Sequence, residues 1–318
     1  MKLEDVPIEK IDFYDQRFRI SLPGNLDKLQ RSIAENGLIN PPVVTLRSGR
    51  YAIVTGWKRA EVCRRLSYAS LPCRVLDEGR DLHAFQTALQ DSLTTKDLSI
   101  CEQAEILMKL KGFGVDEDSL ISRFLPMLGI PRTRNHLDTY LAVAALDPES
   151  KAFVHEKNTP LSVLVHLIEL SRDGRERILP LLRPLGQNKQ KELLEYLIDI
   201  SRRDSVPVHA ILASEEIQSV IRSAALSALQ IADRVRMILK TKRYPALSSK
   251  TDLFLSSLKN INWPKDIAID PPPFFEGEDI TVKFTFKDSG EFRKKSAELK
   301  AMASEDRISV LLKSFSDD

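Results

Sequence analysis

Hydrophobic and polar positions change period twice along this chain. Over the first eighty residues short β-branched runs alternate with helical spacing. Val6–Phe13 alternates weakly and predicts an edge strand. In Asn25–Asn36, Leu26, Leu29 and Ile33 fall on one helical face, with Gly37 as the stop. "INPPVVTL" and "RYAIVTG" predict two strands joined by the turn Arg47-Ser48-Gly49-Arg50. A helix over 57–66 follows, and "LPCRVL" predicts a last short strand.

After Asp81 the period becomes helical almost throughout. Three-and-four spacing predicts helices at Leu82–Leu93, Ile100–Lys111, Glu117–Met127, Thr133–Ala145 and Leu161–Ser171. Thr159-Pro160 reads as a helix start, with Thr159 as cap and Pro160 in the first turn. Further helices are predicted at Arg175–Arg183 and Lys189–Arg203, and a long one from Glu215 to Leu239 behind Ser214. The last sixty residues change again. Trp263–Gly277 is proline-rich, then Ile280, Val282, Phe284 and Phe286 alternate with polar residues. That pattern predicts a strand with one buried and one wet face. Ser289 would cap a final helix through Met302. The expected fold class is α+β. A small mixed domain at 1–80 precedes a helical domain at 81–260 and a strand–strand–helix unit at 261–318. A lone hairpin is marginal in water, so the last unit is expected to pack on the helical domain or on a second copy.

Composition narrows this only modestly. Forty-seven Lys and Arg against forty-five Asp and Glu give a net charge of +2, so a polyanion surface would have to come from local clustering. Three cysteines without CxxC spacing predict reduced thiols and argue against a disulfide framework or zinc site. The N-terminal "MKLEDVPIEKIDF" has no apolar leader core, and no run reaches membrane-spanning length. A cytoplasmic protein without a membrane partner is expected. GxSxG, P-loop, HExxH and Rossmann glycine patterns are all absent from the sequence. The five histidines are scattered, and each reads as surface or core.

Three segments suggest chemistry. In "VTGWKRAEVCRRL", residues 54–66, a strand runs into Thr55-Gly56 and a helix opens on Lys58 and Arg59. The helix dipole favours anions at that end, so the cations either face solvent or join the free N–H groups in holding a phosphate. Between about 116 and 145, a helix, a Gly129 turn and a second helix form either a helix-turn-helix or a plain αα-hairpin. Arg132, Arg134 and Asn135 stand outward at its leading end, and Arg and Asn are the types that read guanine and adenine edges. Third, residues 232–250 hold six Lys or Arg and one acid. They form either a phosphate-contacting stripe or the solvated face of a helix end.

The order of these pieces resembles the ParB/RepB family of partition proteins. "ENGLINPPVV", "VTGWKRAEVCRRL" and "LPCRVL" follow that family's ENGLxQPxxV, GERRxRA and xxPxxV. "ALQDSLTTKDLSICEQAE" is similar to ENLQRxDLxPxEEA, and the resemblance covers about residues 5–145. It implies a ParB/sulfiredoxin-like N-terminal domain and a helix-turn-helix that binds double-stranded DNA, with Thr133 on a phosphate. It further implies a homodimer closed by the C-terminal unit, a ParA-like ATPase partner and a nucleoid-associated location. The family's nucleotide pocket, which takes CTP with Mg2+, maps onto Gly56, Lys58 and Arg59, and onto Asp91 and Ser92 with Asp91 as metal ligand. Trp57 replaces the glutamate of GERR, Glu61 replaces the later arginine, and Thr94 and Thr95 replace glutamine and arginine. Those losses predict weakened triphosphate binding and little CTP hydrolysis. Chromosome or plasmid partition is the function implied. A transcriptional regulator on the same fold, or a nucleotide-hydrolysing enzyme using the pocket, is the alternative. The sulfiredoxin turn carries a cysteine that this one lacks, so that activity is not expected, and neither is a nuclease.

Overall fold

The computed structural model describes residues 1–21, 24–77, 79, 81–277, 279–304 and 309. It divides into two compact units, Met1–Arg183 and Pro184–Asp318. The class is α+β with a helical majority, as the patterning predicts.

In the first unit the expected edge strand is two pieces. β1 (Lys2–Pro7) ends where Pro7 opens a 3-10 turn, and β2 (Ile11–Asp12) resumes after it. Helix α1 is Asp27–Asn36, and Gly37, at φ +73°, ends it. β3 (Val43–Arg47) and β4 (Arg50–Thr55) form the expected hairpin; α2 (Trp57–Arg65) and β5 (Ser70–Leu76) follow. The five strands lie in the order β1-β5-β3-β4-β2, which puts the two short pieces at opposite edges. β1 runs antiparallel to β5 and β3 antiparallel to β4, whereas β3–β5 and β2–β4 are parallel. Successive β4 side chains point to opposite faces. Ile53 joins Val44, Ile33, Ala60 and Cys63 in the core under α1 and α2, while Val54 lines a cleft that α3 (Asp81–Thr95) also borders.

Helix α4 (Ile100–Gly112) starts with a capping box between Ser99 and Glu102. The helix expected over 117–127 is not uniform. α5 (Glu117–Ser119) passes through a π-turn at Leu120–Phe124 into α6 (Leu125–Met127). Pro126 has no N–H to bond residue 122, and its ring crowds that carbonyl, so a widened turn just before it relieves the clash. α7 (Arg134–Ala144) packs on α4, and Leu120, Phe124, Leu128, Leu137 and Tyr140 are buried. α8 (Pro148–Lys157), which helical spacing did not signal, is capped by Asp147. α9 spans Leu161–Glu169, with Pro160 rather than Thr159 at its cap. The Thr159 hydroxyl, expected to cap, is instead buried with no partner among the described residues. α10 (Arg172–Leu182) begins at the Ser171 cap.

In the second unit, α11 is Gln187–Asp204 and α12 is Val208–Leu212. The long helix expected from Glu215 is two. α13 (Glu215–Ile221) stops early, and α14 (Ala228–Arg243) starts afresh at Ser227, whose hydroxyl accepts from Gln230 N–H while Gln230 accepts from Ser227 N–H. The S-x-x-Q box outweighs the helix-forming alanines before it. Ser214 makes no side-chain cap. α15 (Pro245–Asn260) was not signalled by the pattern. β6 (Ala268–Asp270) pairs with β7, which spans only Thr281–Lys283 and is exposed along its length. The continuous buried face expected for 280–286 is not formed: Val282 and Phe286 are exposed, Ile280 and Phe284 are only partly buried, and Phe286 clusters with Phe284 and Phe292. α16 (Ser289–Ser304) is capped one residue early, by the Asp288 carboxylate accepting from Glu291 N–H at 2.9 Å. Met302, Phe254 and Ile261 form its core with Trp263 and Ile280 against them.

Candidate functional site

Strand β4 delivers the chain to Gly56, which takes φ +82° and starts α2 without any side-chain cap. A Cβ there would stand 3.0 Å from the Pro42 Cα and 3.1 Å from the Arg59 guanidinium, so any residue other than glycine would be strained in this turn. The uncapped first turn leaves backbone donors for a ligand. It opens on a cleft of about 220 Å3 that gathers Gly56, Lys58, Arg59, Asp91 and Ser92, the five residues singled out from the sequence for a nucleotide. Arg59 is held in place by donating to the Asn40 carbonyl at 2.9 Å. Asp91 and Ser92 come from the last turn of α3, and the Thr95 hydroxyl donates back to the Asp91 carbonyl at 2.7 Å.

Phe18, Ile20 and Ser21 also line the cleft. Phe18 is fully buried, stacked on Phe113, and Lys109 donates to the carbonyls of Gln16 and Arg19 at 2.7 and 2.6 Å. Burial pushes the Lys109 ammonium down to about 8, with Glu105 opposing the shift. Sequence reasoning missed Lys96, which also lines the cleft. It sits just past the end of α3 and pairs with Glu102. Its only signal was position, one residue beyond Thr95.

Trp57 is 8% exposed, its indole N–H bonded to the Ile53 carbonyl at 3.2 Å, with Arg19 over its ring at 5.2 Å. It packs and also borders the cleft. Glu61 turns away into a neighbouring cavity of about 300 Å3, shared with Phe13, Arg19, Arg64 and Arg65. Burial alone would raise its carboxyl, but Arg64, at 2.9 Å, and Arg65, at 3.3 Å, hold it below the usual range. Cys63 is buried beside Ala60, and burial pushes its thiol up, which makes it a packing residue. Cys73 and Cys101, also buried, are pushed up to about 12 and about 11 by desolvation. Among the described residues no group of three His, Cys, Asp or Glu forms a metal cage, and no helix is long and apolar enough to cross a membrane.

The helix pair presents a separate surface. Gly129, at φ +74°, turns the chain after α6, and Gln103 anchors the turn by donating to the Leu128 carbonyl at 2.9 Å. Thr133 caps α7, accepting from His136 N–H at 3.3 Å, and its hydroxyl also bonds the His136 ring at 2.7 Å. Arg132, Thr133, Arg134 and Asn135 are all exposed at that leading end. Arg134 is paired with Glu117 at 2.7 Å and with Asp138 at 3.5 Å. The basic stretch 232–250 is substantially countered. Arg236 meets Glu192 and Asp233, Lys242 meets Glu216, and Arg243 meets Asp199. These pairs favour the solvated helix face over a phosphate stripe.

Residues 1–93 match the family model of the ParB N-terminal domain. The resemblance read from motif order therefore holds for that part of the chain. A nucleoid occlusion protein of Halalkalibacterium halodurans is 29% identical over 99 residues, 31% of this chain and 35% of that protein. A probable chromosome 1-partitioning protein ParB of Deinococcus radiodurans is 29% identical over 98 residues, 31% of this chain and 34% of that protein. The matched part thus spans about a third of these relatives. Among solved structures, C-terminally truncated ParB of Caulobacter crescentus complexed with CTP-gamma-S is 19% identical, covering 56% of this chain and 97% of that one, at TM-score 0.28. The same protein complexed to the centromeric parS site is 16% identical, covering 60% and 98%, at TM-score 0.34.

Proposed function

We propose that this chain is a ParB-like, sequence-specific DNA-binding protein of chromosome or plasmid partition, modulated by a nucleotide. The observation that carries the reading is the coupling, within one compact unit, of a ParB-type N-terminal domain to a helix pair whose second helix opens on exposed Arg132, Arg134 and Asn135. In this reading α7 enters the major groove. The two arginines and Asn135 contact base edges, and Thr133 and the helix start contact a phosphate. Half-sites in a palindrome would then suit a homodimer.

The cleft takes the phosphates of a triphosphate, CTP by resemblance, on the α2 turn with Lys58 and Arg59. Magnesium usually binds one or two carboxylates plus substrate phosphates. Asp91 and Ser92 offer oxygen donors in the same cleft as the cations, so the residues fit that ion. When bound it would offset phosphate charge. A ParA-like ATPase partner and a nucleoid-associated location belong to the same proposal.

Selecting the fragments of the source genome that the purified protein retains tests the reading. A cluster of related sites near an origin is the expected outcome. Sites dispersed among promoters would replace partition with transcriptional regulation, and retention without any shared sequence would overturn specific DNA binding.

A further inference from the structure

The ParB-like motif loses its arginine at Thr95, and the Thr95 hydroxyl is turned back onto its own helix at the Asp91 carbonyl. Position 95 therefore brings no charge to the cleft. The next residue does. Lys96 lies beyond the last turn of α3, borders the cleft and has a side chain 32% exposed. Its ammonium pairs with Glu102 and stands 3.4 Å from the hydroxyl of Ser21, another residue lining the cleft.

Glu102 is a buried carboxylate with a divided task. One oxygen accepts from the Ser99 N–H at 3.0 Å and the Ser99 hydroxyl at 3.1 Å, completing the capping box of α4. The other oxygen meets only Lys96 among the bonds described. The cap can persist without the lysine, so the Lys96 arm is the exchangeable one. A lysine is a compact charge on a flexible stem and can swing between two anions as an arginine fork does not.

We propose that Lys96 is a phosphate-binding residue of this cleft, replacing the cation lost at Thr95, with Glu102 as its counter-ion while no phosphate is present. The inference rests on the nucleotide reading above and adds to it a residue outside the motif. Occupancy exchanges one anionic partner of Lys96 for another. Glu102 then remains on Ser99 and competes with the ligand, which sets a limit on affinity.

Titration calorimetry on the full chain tests this, with CTP plus Mg2+ and with inorganic tripolyphosphate as probes. Lys96→Met should weaken both about 10- to 100-fold, the loss of one charge-assisted bond. Thr95→Arg added to Lys96→Met should restore binding, because it puts a cation back at the motif position. Glu102→Gln, which preserves the capping box, should bind as tightly or more tightly because the competitor is gone. A merely structural pair would instead make Lys96→Met and Glu102→Gln less stable with unchanged affinity. Binding abolished by Arg59→Ala but kept in Lys96→Met overturns this inference alone. Absence of binding by the unmodified chain overturns the nucleotide reading together with it.

Discussion

Gly56 is the residue on which the cleft depends most. Its left-handed backbone lets β4 pass into α2 without a cap, and any side chain would meet the Pro42 backbone and the Arg59 guanidinium. Gly56→Ala is expected to cost about 1–3 kcal/mol in unfolding free energy and to displace Arg59, measured by the urea midpoint and by triphosphate titration. The glycine and the two cations after it were legible in the sequence because the motif names them in order. Lys96 was not, because its partner Glu102 is six residues away across a helix start. Trp57 was ambiguous for a related reason. A tryptophan at a helix start can pack or stack, and here its indole both bonds the Ile53 carbonyl and borders the cleft.

At the scale of elements, the helices read best where a cap and a spacing agreed. α7 is the clearest case, with Thr133 in the cap and the buried face on Leu137 and Tyr140. Reading failed where spacing ran across a local signal, as at Ser227, or where a strand pattern lacked a sheet to cover it, as at 280–286. α8 escaped because its apolar residues are few: Phe153 and Val154 are buried, and an Asp147 cap starts the helix. The Asp147 carboxylate accepts from Ser150 N–H at 2.9 Å and from Arg175 of α10 at 3.0 Å, tying two helices together. Burial would raise its pKa, but the Ser150 and Arg175 bonds lower it to about 2. A depressed carboxylate stabilises the fold above its unfolded pKa and loses that contribution as pH falls through the folded value. The stability gap between the unmodified chain and Asp147→Asn should therefore be on the order of 2 kcal/mol at pH 6 and close as pH falls from about 4 toward 2, in urea unfolding.

For the whole molecule, a near-neutral net charge removes any general attraction to polyanions, so the proposed DNA affinity would have to arise from one surface. The countered stripe on α14 leaves the leading end of α7 as the better candidate, although Arg134 must first leave Glu117 and Asp138. The division at Arg183 and Pro184 falls inside the stretch that periodicity treated as one helical domain. Period alone does not reveal which helices share a core, because every amphipathic helix in the stretch shows the same spacing. The most direct test of the account is fluorescence anisotropy of a selected genomic site against scrambled DNA over a salt series. A site preference is expected that Arg132→Ala, Arg134→Ala or Asn135→Ala each reduces by about 1–3 kcal/mol, on a background that weakens with salt. Binding that is sequence-blind, insensitive to salt and unchanged in all three variants would contradict it.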